Sequence, residues 1–440
     1  MTNSSIASPP AASSDDDRQR ARRAGIAAFV GTVLEWYDFI IYGTAAAIVL
    51  NKVFFPAQDP FVGTLAVFAS YAVGFMVRPL GGLVLGYWGD RVGRKLVLVV
   101  TLFLMGGATF MIGCLPTYES IGMAAPILLV VCRIIQGFGA GGEYAGAVVL
   151  SVESAEKGKR GAAGAWAPLG FSVATLLANA VFFFFLAVLS TEEFMAWGWR
   201  IPFLLGALCV LVGYLIRRNI EEPSIFEKAK SKAGTEKIGL FSAIKRHPRS
   251  FFIVIGSRMG ENGFSYFYSV FCVSYLVNNL GIDKSMSLWA VMVAAVIQLF
   301  TIPFYGRLSD KIGRKKVYGF GAIFSMLWMV PFFLMLDTNS IVIIIMAFAL
   351  GLGVLFPPML AAQGSWYAEM FDTEFRLAGF AFSRELGSIL AGGIAPFIAT
   401  ALYAWAGHWW PIAVYMGILG VFTLVALALG PETVHKNIEN

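Results

Sequence analysis

Several charged residues of this 440-residue chain fall inside long apolar stretches, where water cannot solvate them. Glu35 and Asp38, three apart, share one face of a helix. Arg133 and Gln136 repeat that spacing, and Glu143 follows about 15 Å further along the same helix at 1.5 Å per residue. Arg258 and Glu261 share a third face, Asn262, Tyr266 and Tyr268 follow them, and Arg384 and Glu385 are adjacent. A charge at the centre of a membrane helix costs about 2.5–3.5 kcal/mol even on a lenient insertion scale. Residues kept at that cost pair with one another, bind a charged ligand or carry protons. A buried carboxylate facing an arginine holds or releases a proton according to whether the arginine is engaged elsewhere. Asp38 and Glu35 facing Arg133 are the proton-coupling group this pattern singles out. An organic anion arriving at Arg133 or Arg258, whose planar forks suit a carboxylate, competes for the arginine and frees the acid. The candidate binding set is Arg133, Gln136, Glu143, Arg258, Glu261, Asn262, Tyr266, Gln363, Trp366 and Arg384. Static interhelical ion pairs are the other reading of the same residues. Arg78, followed by Pro79 near the inner end of its span, reads as structural.

The elements that must position these groups are membrane helices. Hydrophobic residues make up 58% of the chain and charged residues 14%, against about 25% charged in soluble domains. Twelve apolar stretches approach the roughly 20 residues needed to cross a hydrocarbon core. Placing both termini in the cytoplasm puts 26 of the 33 Lys and Arg on that side, as the bias of cationic loops requires. The net charge of +6 is therefore a topology signal, and no nucleic-acid partner is expected. Residues 1–23 lack the apolar core of a secretory signal and read as a disordered cytoplasmic tail. A six-helix bundle over 24–216, a cytoplasmic linker over 217–249, a second bundle over 250–430 and a cytoplasmic tail over 431–440 complete the organisation. Cys114, Cys132, Cys209 and Cys272 read as small buried hydrophobes. No metal-ligand spacing or cofactor motif occurs, and neither a metal nor a cofactor is expected.

One phrase occurs twice, 220 residues apart: Gly86, Asp90, Arg91, Gly93, Arg94 and then Gly306, Asp310, Lys311, Gly313, Arg314. Each copy joins two apolar spans as a short basic turn, so the chain is two half-length copies of one unit. That points to a secondary transporter built from two related bundles, not to an enzyme. In such a turn the Asp carboxylate can accept hydrogen bonds from a helix N-terminus and pair with a nearby arginine. Asp38 and Arg258 are also 220 apart, so the halves present opposite charges at equivalent positions.

The paired turns, with Arg133 through Ala140 in the fourth span, resemble the signatures of the major facilitator superfamily. Leu34 to Phe39, Val77 to Gly82, Gly141 to Tyr144 and Trp197 to Phe203 resemble its metabolite:proton symporters, whose members carry shikimate, 2-oxoglutarate, citrate, proline or betaines. The resemblance implies an all-α membrane protein with the major facilitator fold, twelve transmembrane helices in two pseudo-symmetric six-helix bundles, in the cell membrane. It implies an inner-face latch of Gly86, Asp90, Arg91, Gly93, Arg94 and Glu153, mirrored by Asp310, Gly313, Arg314 and Glu369. The expected activity is proton-coupled symport of a small organic acid, shikimate-like or another carboxylate, by a monomer. Symport of a dicarboxylate or zwitterionic osmolyte, uncoupled uniport, and metabolite sensing remain alternatives.

Overall fold

The computed structural model describes residues 14–56, 60–92, 94–141, 143–156, 158–218, 244–372 and 376–436. Its regular elements are helices, grouped into twelve rods. In the first half, α1 runs through Ser14–Ala45, a π-turn Ala46–Leu50 and Asn51–Phe54; α2 is Pro60–Val92 and α3 Arg94–Cys114. Then α4 comprises Ala124–Ala140 and Glu143–Glu153, α5 Arg160–Gly164 and Trp166–Val188, and α6 Ile201–Leu204 and Gly206–Arg218. In the second, α7 runs through Pro248–Tyr266, a π-turn Phe267–Phe271 and Cys272–Asn278; α8 is Lys284–Ile312 and α9 Arg314–Leu336. Then α10 comprises Ile341–Leu350, a π-turn Gly351–Leu355 and Pro357–Glu369, α11 Arg376–Ser388, a π-turn Ile389–Gly393 and Ala395–Ala406, and α12 Trp410–Leu429.

Among the described residues, nine helices are long and apolar enough to cross a membrane, and Val99–Cys114 is a shorter apolar one. The exceptions follow from the sequence. The middle of α7 is occupied by Arg258, Glu261 and Asn262, and α6 is interrupted at Leu205.

Packing repeats between the halves. Within the first, α1 lies on α5, α2 on α4 and α3 on α6; within the second, α7 lies on α11, α8 on α10 and α9 on α12. The halves meet through α2 with α11 and through α5 with α8, pairs related by the same exchange. Irregularities repeat as well: the π-turns of α1 and α7 start 221 residues apart. Such bulges concentrate at functional positions in helices. Between α2 and α4 the backbones touch, since a Cβ on Gly137 would collide with the Gly74 carbonyl and one on Gly141 with the Arg78 carbonyl. Gly137 and Gly141 thus permit close helix approach.

One expectation needs correction. The backbone is already helical from Ser14, so residues 14–23 of the expected disordered tail form the first turns of α1. Their Asp run followed by Arg, Gln and Ala suits a helix N-terminus and good helix formers. Residues 219–243 of the expected linker lie outside the described residues, as do 1–13 and 437–440. Cys114, Cys132 and Cys272 are free thiols.

Candidate functional site

Four arginines and four carboxylates lie in the middle of the molecule, each no more than 4% exposed: Arg78, Arg133, Arg258, Arg384, Glu35, Asp38, Glu261 and Glu385. Arg78 of α2 is the hub. It donates to Glu35 of α1 at 2.6 Å and lies 3.0 Å from Glu385 of α11, so it ties the two halves together. Its guanidinium also sits 4.8 Å from the Phe39 ring centroid. Arg384 pairs with its neighbour Glu385 and lies 3.8 Å over the ring of Tyr144 from α4, a second contact between the halves.

Arg258 of α7 pairs with Glu261 one turn on, and donates to Gln363 of α10 at 3.0 Å and to Ser388 of α11 at 3.3 Å. Gln363 in turn donates to Glu261 at 3.4 Å. Every charge in this cluster is compensated locally, as burial requires.

Arg133 of α4 is different. It is fully buried, and among the described residues it has no carboxylate within ion-pair distance. It donates to Gln136 at 2.9 Å and to the Tyr71 carbonyl at 3.4 Å, and its Nε has no partner. Its guanidinium lies 4.1 Å from the Tyr42 ring centroid, 5.0 Å from Phe39 and 5.1 Å from Tyr71. Cation–π contacts of this kind offset part of the desolvation of a cation without neutralising it. Gln136 donates onward to Thr109 of α3 at 2.5 Å, the Thr109 hydroxyl donates to the Met105 carbonyl at 3.0 Å, and Asp38 lies beside Thr109 where both flank Gly206. A polar chain therefore runs from Arg133 through Gln136 to Thr109, beside Asp38, whose Oδ1 is buried without a hydrogen-bond partner.

At the end where α8 meets α9 and α4 meets α5, a second polar set joins the halves. Asp310, in the last turn of α8, accepts from the backbone N–H of Gly161 at 2.7 Å and of Ala162 at 2.9 Å, at the start of α5. Arg314 donates to Asp310 at 2.8 Å and to Glu369 at 3.3 Å. Glu153 pairs with Arg376 across the interface. Gly313 has φ +106°, a conformation that glycine tolerates and that lets α9 turn back from α8. Glu432, beyond α12, accepts from the N–H groups of Arg314 and Lys315, and Thr433 donates to Glu369 at 2.6 Å. At the opposite end, Phe183 of α5 and Trp289 of α8 stack with centroids 5.8 Å apart, and the π-turn of α1 touches α7. The halves thus meet at both ends and in the middle.

Family models match most of the chain: "Sugar (and other) transporter" over residues 24–232 and "Major Facilitator Superfamily" over 259–440. The shikimate transporter of Escherichia coli K12 is 38% identical over 400 residues, covering 90% of this chain and 91% of that protein. The chain belongs to the major facilitator superfamily. The proline/betaine transporter of Salmonella typhimurium is 32% identical over 429 residues, covering 96% of this chain and 85% of that one. The proton:xylose symporter XylE superposes with a TM-score of 0.74 at 16% identity, covering 96% of this chain and 98% of that one. Its fold is therefore the major facilitator fold, and the protein is a membrane transporter, not an enzyme.

Within this superfamily fold, the structure brings Arg258, Glu261, Asn262, Gln363, Arg384 and Tyr266 together around α7 and α11, and Arg133 with Gln136 in α4. Some expectations change. Glu35 does not face Arg133; its partner is Arg78, which also pairs with Glu385 and so joins α1, α2 and α11. Its position inside an apolar span was the available signal, and the neighbouring Pro79 masked it. Asp38 lies beside Thr109, at the end of the chain that runs from Arg133 through Gln136. Trp366 lies outside the binding cluster: it donates to the Pro431 carbonyl at 3.0 Å and stacks near Tyr318, at the α10 end that carries Glu369. Tyr268 packs against Phe332 and Phe348 within the second half. Glu143 is half-buried, with a carboxylate oxygen 3.4 Å from where a Cβ on Gly31 would stand, so it faces α1 toward the Glu35 end. Asp310, Arg314 and Glu369 come together, whereas Glu153 pairs with Arg376 of the other half. The side chains of Gly86, Asp90, Arg91 and Arg94, and the whole of Gly93, lie outside the described residues. Sequence reasoning missed Thr109, Glu432 and Thr433, none of which stands out by residue type.

Asp310→Asn is expected to weaken the contact with α5, since a neutral amide oxygen is a poorer acceptor for helix N–H groups than a carboxylate. Single-cysteine reporters at the inner end of α5 should then label about 3- to 10-fold faster with a membrane-impermeant thiol reagent, for a change of about 0.7–1.4 kcal/mol.

Proposed function

We propose that this transporter is a proton-coupled symporter of a small organic acid, working by alternating access, with both termini in the cytoplasm. The observation that carries the reading is Arg133: a fully buried cation, without a carboxylate within ion-pair distance among the described residues, hydrogen-bonded through Gln136 to Thr109, beside which the buried acid Asp38 lies. A substrate carboxylate seated on Arg133 draws the guanidinium away from Gln136. The chain through Thr109 then shifts, and Asp38 loses the cation's influence and retains a proton more readily. Anion and proton thereby favour each other's binding, which is the coupling a symporter needs. The Arg78 bridge to Glu35 and Glu385 and the Asp310 contact with α5 are the parts that break and re-form as the halves rock. The 38% identity to a shikimate transporter supports an organic acid as cargo.

The buried charges set the expected stoichiometry. Among the fully buried groups four arginines face four carboxylates, with the half-buried Glu143 beside them, and one proton on Asp38 leaves room for one further negative charge. A monocarboxylate then travels with one proton and no net charge moves. Any net charge would change accumulation about 50-fold per 100 mV, since one charge across that potential is worth about 2.3 kcal/mol. Valinomycin-clamped proteoliposomes are expected to show less than about a 2-fold response over that range.

Uptake of labelled shikimate, 2-oxoglutarate, citrate and betaine into proteoliposomes, with and without an inward proton gradient, tests the function. Accumulation of an acid only with the gradient supports symport. Equilibration indifferent to the gradient contradicts it.

A further inference from the structure

We infer that Tyr71 of α2 and Tyr266 of α7 form a hydroxyl-reading pair across the interface between the halves, so that the preferred cargo is a hydroxylated monocarboxylate. This rests on the symport reading of the Arg133 site. Tyr71 is fully buried and Tyr266 is 2% exposed. Their rings meet edge to face with centroids 5.7 Å apart, one from each half. Both hydroxyls are buried, and neither has a hydrogen-bond partner among the described residues. A buried hydroxyl without a partner is unfavourable, and a native structure that keeps two of them together has a use for them.

Neighbouring tyrosines show the contrast. The Tyr42 hydroxyl lies 2.6 Å from Ser70 Oγ, and Tyr37 donates to the Pro202 carbonyl at 3.1 Å. Tyr144, Tyr268 and Tyr415 also lack partners, but the first lies beneath Arg384 and the other two within the second half. Among the described tyrosines without partners, Tyr71 and Tyr266 are the two whose rings meet across the halves beside Arg133, whose guanidinium is 5.1 Å from the Tyr71 ring. Phe75 and Trp36 lie 5.2 and 6.4 Å from the Tyr266 ring, giving an apolar wall against which a carbon ring can lie.

An acid whose carboxylate sits on Arg133 places a ring hydroxyl toward the two phenols. Bridging them satisfies three polar groups at once and draws α2 toward α7. An acid lacking the hydroxyl leaves both phenols unpaired, the situation in which polar sites discriminate best. The pair therefore acts on both selectivity and closure.

The test compares gradient-driven uptake of shikimate and 3-hydroxybenzoate with that of benzoate and cyclohexanecarboxylate, in the wild type, Tyr71→Phe and Tyr266→Phe. The wild type is expected to favour the hydroxylated acids by at least about 10-fold, and each Phe variant to collapse that ratio toward one. Thermal unfolding in detergent checks that the variants fold. Equal handling of both kinds of acid by the wild type overturns the inference, and so does an equal loss for both kinds in the variants, which is the mark of a packing role. Gradient-driven uptake of 2-oxoglutarate or betaine without uptake of the hydroxy acids removes this inference and leaves symport standing. No gradient-driven uptake of any compound removes both.

Discussion

Replacing Arg133 by Gln should reduce acid uptake at least about 30-fold, because a buried charge pair truncated on one side loses about 2–5 kcal/mol. The stability effect should run the other way. Arg133 has no carboxylate within ion-pair distance among the described residues, so its removal takes an uncompensated charge out of the interior, and the variant should unfold at an equal or higher temperature. Arg78→Gln makes the comparison, since it leaves Glu35 and Glu385 buried without their shared cation. Breaking a buried pair costs about 3–5 kcal/mol, and that variant should be clearly destabilised. Arg133→Lys keeps the charge but not the planar fork, and should recover part of the uptake. A stable Arg133→Gln protein with unchanged uptake would remove the arginine from the account.

Asp38→Asn should uncouple transport without blocking it. The amide stands in for the protonated carboxyl, so the site keeps room for an anion but can no longer release a proton. Exchange of labelled for unlabelled acid should persist, while accumulation driven by a proton gradient of one pH unit falls from about 10-fold to none, since each coupled proton contributes about 1.4 kcal/mol per pH unit. Glu35→Gln leaves Arg78 with Glu385 and should retain gradient-driven accumulation. If Glu35→Gln uncouples and Asp38→Asn does not, the proton is carried on the Arg78 side of the site.

The twelve rods and their two-fold organisation were legible because their signals are local. Apolar length marks a span, and the phrase at Asp90 recurs at Asp310. The identities of the buried charges were equally visible, since each interrupts an apolar run. Their pairings were not. Whether Glu35 meets Arg78 or Arg133 depends on how closely α2 approaches α1, and that distance is set by Gly74, Gly81 and Gly82 packing on α4. Trp366 shows the same limit: its helix was expected to line the site, but a side chain three residues beyond Gln363 lies a turn nearer the inner end. The cross-half partners of Asp310 and Glu153 were hidden for a further reason. The expected latch was written within each half, whereas helix N-terminal N–H groups and Arg376 belong to the other half.

The central claim is that substrate and proton enter together through Arg133 and Asp38, and proton movement on adding substrate tests it most directly. Proteoliposomes containing the transporter, weakly buffered and without an imposed gradient, would receive a transported acid at a pH where it is fully ionised. The account predicts alkalinisation of the outer medium that saturates with acid concentration, amounts to one proton per molecule taken up, and disappears in Asp38→Asn. Acid entry at the same rate with no change in external pH would contradict it.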